Sequence, residues 1–158
     1  DMNKALVTLV LVMAAAVSAN VKVTLNENDI KPCTVPAKHK ILSVSIDSCQ
    51  ALVDGVCHLA TNTQAKLVTT FEKGDLNDND LESLSVIPAI KFLSGEFTDR
   101  KEPKTSYKIT CGDKLCTLTH DFLIEDVYPK IEVEIDYGLH PRMNPNTVIC
   151  FKQAIKIV

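Results

Sequence analysis

The sequence predicts an all-β chain, an antiparallel sandwich of two sheets. Three observations carry this: short runs in which apolar and polar residues alternate, turn-forming residues between those runs, and no helical apolar stripe sustained over about 11 residues. The first run, Ile41-Leu-Ser-Val-Ser-Ile46, alternates over most of its length, and the next places Ala65, Leu67, Thr69 and Phe71 on one face. Leu84-Ser-Val86 follows, then a run with Tyr107, Ile109 and Cys111 in phase. Ile131-Glu-Val-Glu-Ile-Asp-Tyr137 is the cleanest period-2 segment, and Thr147–Phe151 and Ala154–Val158 close the chain. Alternation of this kind means strands with one face buried and the other wet.

Turn residues separate the runs: Asp54-Gly55, Lys73-Gly74-Asp75, Ser94-Gly95, Gly112-Asp113 and the loop from Pro141 to Pro145. The charged stretch Arg100-Lys-Glu-Pro-Lys104 reads as an exposed loop. The acidic run from Gly74 to Glu82 invites a calcium reading, but an EF-hand loop counted from Asp75 needs Gly and Glu where Asp80 and Val86 stand. A solvated turn is the simpler reading.

Residues 1–19 have the pattern of a secretory signal peptide. Met2 reads as the initiator and Asp1 as an extraneous residue; Lys4 supplies the basic start, Ala5 to Val17 the apolar stretch, and Ser18-Ala19 the small-residue end. The apolar run falls short of the ~20 residues of a membrane span. Residues 20–158 then form one domain on length, expected to be secreted and without stable membrane insertion. A net charge of −3 lacks the positive field that gathers phosphates, which argues against nucleic acid.

The chain has six cysteines, Cys33, Cys49, Cys57, Cys111, Cys116 and Cys150. In an oxidising compartment they are expected to pair. Six cysteines allow 15 pairings, and spacing alone does not choose among them. Locality favours small loops at Cys49–Cys57 and Cys111–Cys116, which leaves Cys33 and Cys150. No Cys-x-x-Cys pair supports a zinc site.

Signals for catalysis are missing. There is neither a Gly-x-Ser-x-Gly elbow nor a His-Glu-x-x-His signature. His39, His58, His120 and His140 are scattered and read as surface or strand-edge residues; His120-Asp121 could orient an imidazole, but no nucleophile accompanies it. No enzyme activity, metal or cofactor is expected. An apolar interior remains, and composition does not distinguish a closed core from one that holds a lipid.

The cysteine framework and its local motifs resemble the secreted MD-2-related lipid-recognition (ML) domains, which include the Niemann-Pick type C2 sterol carriers and the group 2 mite allergens. Ser45-Ile-Asp-Ser-Cys49 looks like the segment carrying the family's second cysteine. A short loop to Cys57, a strand ending at Phe71, the tight Cys111-to-Cys116 loop, Val127-Tyr-Pro129 and the final Cys150-Phe151 follow in family order. The match runs from about Val21 to Val158. Thr117 stands where the family usually carries proline; the Cys57-to-Cys111 stretch is long and the Cys116-to-Cys150 stretch short.

The resemblance implies an immunoglobulin-like sandwich with bridges Cys33–Cys150, Cys49–Cys57 and Cys111–Cys116. It also implies an apolar slot between splayed sheets for a sterol, fatty acid or phospholipid. The candidate wall is Leu67, Phe71, Val86, Ile90, Phe92, Tyr107, Ile109, Tyr128, Ile131, Val133, Ile135 and Phe151, with Tyr107 and Tyr128 suited to a wet rim. It further implies a lipid carrier, with a membrane or receptor partner for transfer, in extracellular fluid or an endosomal or lysosomal lumen, and an allergen of the mite type. The alternative is a secreted interaction protein, an immune co-receptor or ligand, with a filled core.

Overall fold

The computed structural model describes residues 21–158 apart from 92–96, 100–101, 103 and 142–145. The N-terminal leader, Ser94-Gly95, Phe92 and most of the loop from Pro141 to Pro145 therefore lie outside the described residues. In chain order the strands are Val21–Asn26 (β1), Lys31–Pro32 (β2), Ile41–Cys49 (β3), Ala51–Val53 (β4), Val56–Leu59 (β5), Thr63–Glu72 (β6), Ser85–Lys91 (β7), Phe97–Asp99 (β8), Tyr107–Cys111 (β9), Leu115–Ile124 (β10), Glu132–His140 (β11) and Ile149–Ile157 (β12). A short helix, Asp78–Ser83 (α1), precedes β7.

Two sheets face each other. One has five strands in the order β1-β3-β6-β10-β9; the other has seven, β4-β5-β12-β11-β7-β8 with β2 also on β12. The immunoglobulin-like sandwich class is as expected, with one correction: the pairing is mixed. β12 and β5 run parallel, Ile155 beside Cys57 and Ile157 beside Leu59. The β4–β5 hairpin reaches the edge of β12 from the end of β3, where the Cys49–Cys57 bridge holds it. In that position β5 travels in the same direction as β12.

Alternation sets the inner faces. In the five-stranded sheet one cross-strand row is Val23, Ile46, Leu67, His120 and Tyr107, and the next is Leu25, Val44, Thr69, Leu118 and Ile109. Facing them are the rows Val86–Leu139–Ile149, Pro88–Tyr137–Phe151 and Ile90–Ile135–Gln153. Phe71, Phe151, Leu59, Leu84, Leu118, Leu139 and Ile149 are fully buried, so the interior draws on both sheets. Burial of each such side chain contributes about 1.5–3 kcal/mol.

Turn chemistry accounts for the hairpins. Asp54 (φ 51°) and Gly55 (φ 80°) are both left-handed, with Val53 opposite Val56, the two-residue type I′ turn that Asp-Gly favours. The Gly112-Asp113 turn joins β9 to β10, whose register puts Cys111 directly opposite Cys116. Three bridges form, Cys33–Cys150, Cys49–Cys57 and Cys111–Cys116, with Cα separations of 5.6, 5.4 and 4.0 Å. Cys49–Cys57 ties the end of β3 in one sheet to β5 in the other.

Three further readings need correction. The run from Gly74 to Glu82 is more than a solvated turn: it contains α1, which starts in a capping box with Asn77 Oδ1 accepting from the Asp80 N–H and the Asp80 carboxylate accepting from the Asn77 N–H, both at 3.0 Å. Leu76 is buried and Leu81 packs against the core. The two closing runs are one strand, β12. The strand β10 carried no prediction, although it pairs with β6 over its whole length.

Candidate functional site

The candidate site lies where the two inner faces meet, and its distinguishing feature is polar. His120 alternates in phase with Cys116 and Leu118 on β10, so the strand turns it inward; it is 3% exposed. Tyr137, in phase with Val133 and Leu139 on β11, reaches it from the opposite sheet, and its hydroxyl lies 2.8 Å from His120 Nδ1. On the other side of the imidazole, Glu102 Oε2 lies 3.4 Å from Nε2. Glu102 is 9% exposed and its N–H donates to the Val86 carbonyl at 3.0 Å, which brings it alongside β7.

Rings enclose the cluster. Phe122 and Tyr137 are tilted against His120 at 5.3 and 5.7 Å, Tyr107 meets it edge-on at 6.4 Å, and Phe151 packs on Tyr137 at 5.3 Å. Burial among these rings holds the Tyr137 phenol's pKa well above its ordinary value, and the Glu102 charge and then Tyr107 push it the same way. Tyr137 therefore presents a hydroxyl, not a phenolate. A buried polar group must be hydrogen-bonded to be tolerated, and the His120–Tyr137 contact meets that need while joining the two sheets.

These placements correct the sequence reading. His120 and His39 are buried, not on the surface. His39 sits in the loop before β3 with Nε2 3.6 Å from Asp75 Oδ1. Asp121 does not orient His120: it falls on the opposite face of β10, 3.7 Å from Lys66 Nζ. Glu102 is buried although it belongs to a stretch read as an exposed loop. Alternation through Cys116, Leu118, His120, Phe122 and Ile124 was the available signal for His120, and the end of the cleanest period-2 run was the signal for Tyr137. Nothing local marks Glu102, which a backbone bond to β7 carries inward.

The described wall residues lie on both sheets, except Tyr128 and Ile131, which lie in the segment between β10 and β11. Leu67, Phe71, Val86, Val133 and Phe151 are buried in the core. Ile90, Tyr107, Ile109, Tyr128, Ile131 and Ile135 are partly buried and pack against it; Phe92 is outside the described residues. Ile90 and Ile135 are register partners, as are Ile109 and Leu118. The Tyr107 hydroxyl, expected at a wet rim, donates to the Leu84 carbonyl at 3.0 Å and so links β9 to the start of β7.

A separate surface cleft of about 290 Å³ lies beside the Cys33–Cys150 bridge, walled by Ile30, Pro32, Val35, Pro36 and Ile41. None of the predicted wall residues borders it. Among the described residues no group of His, Cys, Asp and Glu could hold a metal ion, and no helix is long and apolar enough to cross a membrane.

A two-sheet, three-bridge sandwich with an inward-facing aromatic cluster defines the class of fold. The fold is that of a Niemann-Pick type C2 protein from the Japanese carpenter ant, with a TM-score of 0.61 over 82% of this chain and 98% of that one at 15% sequence identity. No family model matches the sequence, and no curated protein matches it. At this identity the likeness shows the ML-like fold.

Proposed function

We propose that this chain is a secreted, non-catalytic lipid-binding protein of the ML type, which takes a sterol, fatty acid or phospholipid chain between its sheets. The observation that carries the reading is the fold shared with a Niemann-Pick type C2 protein over nearly the whole of that protein's length. The apolar inner rows support it. Binding there would remove an acyl chain or sterol ring from water at about 25 cal/mol per Å², with no bond made or broken. Leu67, Phe71, Val86, Ile90, Tyr107, Ile109, Val133, Ile135 and Phe151 are the proposed wall, with Tyr128 and Ile131 nearer its ends; Phe92, outside the described residues, remains a proposed member. Residues 1–19 are the proposed secretion signal.

Native mass spectrometry of the folded protein, before and after lipid extraction and reloading, tests the proposal. Lipid-sized mass increments that leave on extraction and return on reloading are expected. A protein that takes up neither fatty acid, phospholipid nor sterol would sink the carrier reading. Full burial of Phe71, Phe151, Leu118 and Leu139 favours the second reading, an interaction protein with a closed core that works through its surface; that reading predicts no increment at all.

A further inference from the structure

We propose that Thr69 and Tyr137, the latter positioned by His120, form a receptor for an alcoholic hydroxyl inside the sandwich, so that the chain prefers long-chain alcohols to the matching carboxylates. This rests on the lipid-binding reading and adds the polar end of the ligand to it. Leu67 is the register partner of His120, and Thr69 is the next inward residue on β6. Thr69 and His120 are therefore diagonal neighbours on one inner face, about 7 Å apart at the backbone. Tyr137 approaches from the facing sheet, 2.8 Å from His120.

Two independent features point to a neutral hydroxyl. Thr69 is fully buried, and its Oγ1 has no hydrogen-bond partner. Such a group is a standing cost to the fold, and a ligand hydroxyl, which both donates and accepts, answers it. The second feature is charge. The Glu102 carboxylate already lies 3.4 Å from the imidazole and matches any positive charge that His120 carries. Asp121 and Lys66 are on the outer face of the same sheet, and among the described residues no lysine or arginine is buried. A second carboxylate brought in by a fatty acid would be desolvated beside Glu102 with no buried lysine or arginine among the described residues to match it. The neighbours in these rows, Leu67, Leu118, Pro88 and Phe151, are apolar, and Tyr107 offers only a hydroxyl that donates to the Leu84 carbonyl. Burial and Glu102 keep Tyr137 protonated, so a neutral hydroxyl and not a phenolate faces His120 Nδ1.

The test is calorimetric titration of the lipid-free protein with tetradecan-1-ol and with tetradecanoate at neutral pH. The alcohol is expected to bind at least about tenfold more tightly, the equivalent of one well-made buried hydrogen bond. Thr69→Val should weaken the alcohol about tenfold and raise the melting temperature of the lipid-free protein. Glu102→Gln should narrow the preference by improving tetradecanoate. Equal affinities for the two lipids, or an unaltered alcohol affinity in Thr69→Val, would overturn the hydroxyl receptor and leave lipid binding standing. Failure of both lipids to bind would overturn the receptor together with the lipid-binding reading.

Discussion

Tyr137 shows how one buried residue couples interior chemistry to solution conditions. Its pKa is raised in the folded chain, first by burial and then by Glu102, so near and above the ordinary tyrosine pKa the folded state holds a proton that the unfolded state releases. The stability that this supplies is complete below about pH 10 and is lost as pH climbs toward the folded pKa. The difference in unfolding free energy between wild type and Tyr137→Phe should therefore be flat to about pH 10. Above that it should fall by up to about 1.4 kcal/mol per pH unit, as read from urea melts in an alkaline series. A difference that grows with pH would contradict the assignment. Gly74 offers a steric counterpart. Its φ is +55°, and an added Cβ would lie 2.6 Å from His39 Cε1. Gly74→Ala should cost about 2 kcal/mol or more, whereas Gly55→Ala, with φ +80° and nothing within 4 Å of the added carbon, should cost about 1 kcal/mol from backbone strain alone. Chemical denaturation of the two variants checks the order.

At the level of elements, legibility followed exposure. β3, β6, β9 and β11 were readable because one face is wet, so their apolar residues alternate cleanly with polar ones. β10 sits between β6 and β9, and its inward set includes a histidine while exposed Leu115 and Leu123 add apolar residues to the outer set. Those two facts blurred its period, although Cys116, Leu118 and Ile124 keep it. The short strands β2, β4, β5 and β8 have too few residues for a period to register, and β4 and β5 announced themselves only through Asp54-Gly55. α1 is a single capped turn and a half, too brief for any stripe, and Asn77 with Asp80 was its only signature. Asn77→Ala should therefore loosen it by about 1 kcal/mol, measured by denaturant unfolding. A loss near zero would mean that Leu76 and Leu81, and not the cap, hold the segment. The candidate site was half legible for the same reason: its apolar wall follows from alternation, while the His120–Tyr137–Glu102 cluster depends on which strands face each other and on a backbone bond between segments far apart in sequence.

Across the whole molecule the three bridges do unequal work. Cys111–Cys116 closes a loop of sequence separation 5 inside a hairpin that register already aligns, and Cys49–Cys57, separation 8, links neighbouring ends of the two sheets. Cys33–Cys150 spans 117 residues and binds the segment after β2 to β12, the strand that β2, β5 and β11 all contact. The unfolded chain loses far more freedom when its distant ends are tied than when a short loop is closed. Chain-entropy reasoning assigns about 5 kcal/mol to the long bridge and about 2 kcal/mol to the Cys111–Cys116 hairpin bridge. The double variant Cys33→Ser with Cys150→Ser should therefore lose the most stability, and Cys111→Ser with Cys116→Ser the least, in urea unfolding of the oxidised proteins. If the hairpin variant proved the more damaged, the dominant contribution would lie in native-state packing around Cys116, which is fully buried, and not in restraint of the unfolded chain. Lipid loading separates the two accounts further. A ligand between the sheets stabilises only the folded state, so it should raise the midpoint of both variants by a similar increment if each keeps its inner rows intact. A hairpin variant that unfolds early and gains nothing from lipid would place the Cys116 end of β10 in the wall of the slot.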